Sequence, residues 1–153
     1  MKEANLISVL SAFKNLDKES FESYLVYHSI KIKNSELKDL QILVDNFKLL
    51  SKNISLFDKY FIGYIIPQIG KEFDLLRIDK DTIVNIEIKR QSTDDKIITQ
   101  LRRNEYYLSF LKKDVHCYTY VANENKLYTL DNTNTLEEVN LRGCLNFGQT
   151  QYK

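Results

Sequence analysis

The hydrophobic positions of the first fifty residues recur at helical spacing. Leu6, Ile7, Leu10, Phe13 and Leu16 line one face of a first helix. Asp17 is a natural N-cap, and the segment it opens carries Phe21, Tyr24, Leu25 and His28 on one broad face. A third helix is predicted over 35–50, capped by Ser35 and carrying Leu37, Leu40, Ile42, Leu43, Phe47 and Leu50. Past Asn53 the pattern changes to short aromatic and β-branched runs. Residues 60–66 read as a strand ended by Pro67, which suits a sheet edge. The runs 73–78 and 83–88 flank Asp79-Lys80-Asp81 and read as a β-hairpin. Asp94 and Asp95 begin a helix predicted to reach about 112–113, with Ile97, Leu101, Leu108 and Leu111 as its apolar stripe. Strands over 115–121 and 126–130 follow, joined by Asn123-Glu124-Asn125. The polar tail from Asn132 carries no predicted element.

The order is helices, three strands, a helix and two strands. It predicts one α/β domain spanning 1–153, with a mixed central sheet flanked by helices. Helices fill about 1–52, a core fills about 58–131, and the tail runs from 132 to 153.

Composition narrows the classes. The chain has 153 residues, 43% hydrophobic and 28% charged, with 4 Gly and 1 Pro, so linkers and low-complexity architectures are excluded. No apolar run approaches the roughly 20 residues of a membrane span, and the start Met1-Lys2-Glu3 is not a signal-peptide core, so a cytoplasmic protein with no membrane partner is expected. Lys and Arg total 22 against 21 acids, a net +1, so nucleic-acid binding must come from a local patch. Cys117 and Cys144 form no paired motif and fit a reducing compartment. With only His28 and His116, any metal must be held by carboxylates.

Two strands carry chemistry. Asp74 interrupts the first arm of the hairpin, and Glu87-Ile88-Lys89 closes the second. Strand alternation puts Glu87 and Lys89 on one face, and hairpin pairing brings Asp74 beside Glu87. Two carboxylates in apolar strands repel each other and are costly to desolvate, and a divalent cation relieves both problems. Mg²⁺, or Mn²⁺, held by Asp74, Glu87 and the Ile88 carbonyl suits phosphodiester hydrolysis. Lys89 would orient or deprotonate the attacking water. The plainer alternative is a solvated edge strand, with Lys89 in a cross-strand ion pair.

Asp74, Glu87-Ile88-Lys89 thirteen positions later, and a following helix bearing Gln100 together resemble the PD-(D/E)xK nuclease superfamily. The resemblance covers roughly 60–130. It implies a restriction-endonuclease-like fold and a metal-dependent nuclease acting on DNA, with RNA not excluded by the residues. Gln100 would be a fourth catalytic residue. Arg103 and Tyr107 share its helix face, and with Arg102 they are the candidates for nucleic-acid contact. Some members add a glutamate from the first helix, for which Glu19 and Glu22 are candidates, and Glu72 is a further candidate ligand. Phe73 stands where many members have Pro. Residues 66–74 are also similar to nuclease-like domains at the N-termini of bacterial helicase-type ATPases, which makes such a partner or further domain a candidate; a homodimer is another, since dimers are common among nucleases that cut both strands.

Residues 87–113 hold seven Lys and Arg against four acids, which fits a nucleic-acid patch or a solvated helix face. Tyr106, Tyr107, Tyr118 and Tyr120 are expected to pack in the core and its rim. The rival functions are a nucleic-acid-binding module of the same fold without activity, and a protein-interaction domain in which the acid cluster is incidental.

Overall fold

A computed structural model describes residues 2–146, with side chains described through Cys144. Three helices come first: α1 (Leu6–Asn15), α2 (Lys18–Tyr27) and α3 (Asn34–Leu50). After a 3₁₀ turn over Ile54–Phe57 come β1 (Tyr60–Ile66), β2 (Lys71–Ile78) and β3 (Thr82–Lys89). Helix α4 (Asp94–Ser109) leads to β4 (Asp114–Val121), β5 (Lys126–Leu130) and β6 (Leu136–Val139), and α5 (Leu141–Asn146) follows.

The six strands form one sheet in the order β1-β2-β3-β4-β5-β6. β3 and β4 run parallel, with α4 as their crossover, and every other neighbour is antiparallel. β1 lies at the edge, as the Pro67 stop predicts. β3 lies inside the sheet and is buried without a break from Ile83 to Ile88.

Two apolar layers sandwich this sheet. Leu37, Leu40, Leu43 and Phe47 of α3, with Leu6 and Val9 of α1, pack on Leu75, Val84 and Ile86. On the other face Ile97, Leu101 and Leu108 of α4 pack on Phe73, Leu76, Ile83 and Val121.

Several local expectations are corrected. Helix α3 starts at Asn34, and the carboxylate of Glu36, not Ser35, caps it by accepting from the Lys33 N–H at 2.9 Å. α4 stops at Ser109 because Leu111 and Lys112 turn back onto the carbonyls of Leu108 and Ser109, with Lys112 at φ +54°. Leu111 is exposed, so the stripe instead closes through buried Asn104. The polar tail contains β6 and α5. β6 is an edge strand in which only Leu136 and Val139 are partly buried, too little apolar pattern to read. Residues 147–153 of that tail lie outside the described residues.

Candidate functional site

β2 and β3 are both interior strands, so Asp74 and Glu87 do not sit on a solvated edge. Their pairing holds through Leu75 and Ile86, then opens. There the Asp74 N–H donates to Glu87 Oε2 at 3.0 Å, and the Ile88 N–H donates to Asp74 Oδ2 at 2.9 Å. Each carboxylate has replaced a main-chain acceptor of the opposite strand.

Strand alternation fails at the same place. Phe61 and Tyr64, three residues apart, both pack on the α4 side, and so do Phe73 and Leu76. The slip in β1 falls at Gly63, which has φ +69° and faces Asp74 across the register. Asp74 and Glu87 are therefore adjacent because two strands kink together, which the alternation argument does not describe.

Glu87 is buried on the α4 side. Its Oε1 accepts from Asn104 Nδ2 at 2.8 Å, and the same amide donates to Asn85 Oδ1 at 2.8 Å. Asn85 in turn donates to the Leu75 carbonyl at 3.0 Å. This chain of amides fixes the Glu87 carboxylate. Asp74 lines a cavity of about 10 Å³ with Glu36, Lys31 and Ile88, room for one water-sized sphere. Burial, then the charge of Glu87 and a hydrogen bond to it, push the Asp74 carboxyl up to about 7, against the Ile88 N–H and Lys89, which act to lower it.

Between the ends of β2 and β3 and helix α4 lies a basic cleft of about 570 Å³, which neither Asp74 nor Glu87 lines. Lys71, Lys89, Lys96 and Arg103 line it with Gln91, Ser92, Thr99 and Gln100, against a single acid, Asp95. Lys71 joins cleft to acids. Burial holds its ammonium below the usual value, with Arg103 and Lys89 adding to the effect and Glu87 and Asp74 opposing it. Its Nζ lies 5.1 Å from the centre of the Phe73 ring.

Of the residues singled out from sequence, Lys89, Gln100 and Arg103 line this cleft, and Asp74 and Glu87 lie side by side at the strand opening next to it. Ile88 N–H bonds Asp74, and a strand residue's carbonyl shares the side of its N–H, so the Ile88 carbonyl faces the same opening. The others do not converge. Glu72 is exposed, and Glu19 and Glu22 are exposed on α2 and line neither cavity. Arg102 points to the β5–β6 turn, 3.5 Å from the Asn134 carbonyl. Tyr107 packs partly on the apolar layer under α4. Tyr118 and Tyr120 are core residues, but Tyr106 is 61% exposed, contrary to expectation.

Sequence reasoning missed Glu36, Lys71 and Asn104. Asn104 falls in step with Ile97, Leu101 and Leu108, so the helical period alone could have flagged it as a buried polar group. Lys71 and Glu36 carry no such signal, since strand β2 was expected to start later and a first-turn glutamate is usually a cap.

The donors are all oxygens: Asp74, Glu87 and the Ile88 carbonyl. Among the described residues no three His, Cys, Asp or Glu side chains are grouped closely enough to hold a metal. Mg²⁺ commonly takes one or two carboxylates and keeps several waters, so this sparse set fits a hard cation and excludes a soft one. No family model matches the chain, and no curated protein does.

Proposed function

We propose that this chain is a metal-dependent nuclease of the PD-(D/E)xK type, with a restriction-endonuclease-like fold and DNA as substrate. The reading is carried by one arrangement: a carboxyl raised to about 7 beside a buried second carboxylate, linked through Lys71 to a neighbouring cleft lined by four cationic side chains. The three-strand, helix, strand order and the parallel β3–β4 pair support it.

When bound by Asp74, Glu87 and the Ile88 carbonyl, Mg²⁺ or Mn²⁺ supplies Lewis acidity toward the scissile phosphate and acidifies water. The chain's own residues do the rest. Arg103, Lys71 and Lys96 hold phosphate oxygens in the cleft. Lys89 Nζ orients the attacking water and stabilises charge on the phosphoryl oxygens, and the Gln100 amide positions the water or the phosphate. Water attacks phosphorus, one P–O ester bond breaks, and the leaving oxygen takes a proton.

The test is cleavage of labelled duplex, circular and single-stranded DNA and RNA with Mg²⁺, Mn²⁺ or EDTA. Metal-dependent cutting should drop at least 100-fold in Lys89→Ala, the order expected for one electrostatic catalytic group. Salt-dependent binding without cutting by the wild type would favour the rival reading, a binding module on the same cleft.

A further inference from the structure

We propose that the outer flank of α4 is a stacking platform for unpaired bases, so that the strand entering the cleft is single-stranded where it crosses this helix. This rests on the reading that the cleft takes nucleic acid, and it names the form of that substrate.

Gln100 and Arg103 line the cleft, and Tyr107 and Phe110 continue the same helical row at intervals of four and three. Tyr106 lies beside that row. Its ring centre is 5.3 Å from that of Tyr107 and 5.3 Å from that of Phe110, at interplanar angles of 68° and 83°. Tyr107 is anchored on the apolar layer below, whereas Tyr106 and Phe110 are 61% and 66% exposed. Helix packing does not need these two rings, because Ile97, Leu101 and Leu108 already seat α4 on the sheet.

Charge complementarity selects the occupant. The aromatic row runs directly out of a cleft with four cations and one acid, the combination of backbone funnel and ring faces that binds single strands. From Gln100 to Phe110 the helix rises about 15 Å, the length of roughly four stacked nucleotides. A duplex has already satisfied its base faces internally, so the rings favour unpaired bases, by about tenfold per base stacked.

The chain contains no Trp, so Tyr106→Trp installs a single reporter. In EDTA, the full-length variant is titrated with a short single-stranded oligonucleotide and with the duplex of the same sequence. Quenching by the single strand and not by the duplex is expected. A Tyr106→Ala/Phe110→Ala double variant should weaken single-strand binding by about 100-fold, with duplex affinity and salt slope nearly unchanged. The Trp variant keeps the test decisive if the double variant folds poorly. Equal quenching by both forms overturns the platform, as does quenching that follows protein concentration alone and so reports self-association. Single-strand quenching in a protein that cuts nothing leaves the platform standing and removes the hydrolase reading. Cutting with no quenching does the reverse.

Discussion

Asp74 concentrates the conflict between stability and chemistry. Its carboxyl is raised to about 7, so between the ordinary value near 4 and about pH 7 the folded chain holds a proton that the unfolded chain releases. Its contribution to stability is therefore fully present below about pH 4 and is lost as pH rises through 7. Asn at this position mimics the protonated acid, accepting from the Ile88 N–H and donating to Glu87. Asp74→Asn should leave stability at pH 3.5 nearly unchanged and raise it progressively above pH 4, by about 2 kcal/mol or more at pH 8, read by urea denaturation at the two values. A variant that is less stable than wild type at pH 8 would show that the charged form is well compensated. Asp74 and Glu87 were legible because acids stand out in apolar strands. Glu36 was not, because its approach to Asp74 depends on where α3 crosses the sheet.

At the scale of elements, the kink shared by β1 and β2 shapes the site. Gly63 has φ +69°, and a Cβ there would lie 2.2 Å from the Lys31 carbonyl oxygen, so both conformation and space demand glycine. Gly63→Ala should cost about 3 kcal/mol or more by equilibrium denaturation. A loss under about 1 kcal/mol would mean the kink can relax without glycine. α3 is tied to the same region by the ion pair of Arg90 with buried Asp39 at 3.1 Å, one turn beyond Glu36. Most elements were legible from periodicity, and α4 was placed correctly at its start because Thr93, Asp94 and Asp95 make a strong N-terminus. Its end was overrun because Leu111 continues the apolar period while the backbone has already turned.

For the whole molecule, a cation bound to the folded site and absent from the unfolded chain stabilises the fold by mass action. At a hundredfold excess over Kd, Mn²⁺ should add about 2.7 kcal/mol, or roughly 5–10 °C in Tm for a chain of this size. Because protons compete at Asp74, the shift should be larger at pH 8 than at pH 6 and should vanish in Asp74→Ala. An equal shift in that variant would place the cation elsewhere. No helix of the described residues is long and apolar enough to cross a membrane.

Periodicity and composition were sufficient to establish the succession of helices and strands, the α/β class and the interruption of apolar strands by Asp74, Glu87 and Lys89. Those features depend on neighbours in the chain, where spacing of 2 or 3.6 residues maps directly onto a face. Tertiary structure alone decided that β2 and β3 open at the acids, that Lys71 and Glu36 join them, and that Tyr106 and Phe110 stay exposed beside the cleft. Each of these depends on contacts between segments far apart in sequence, or on the burial left once every layer has packed.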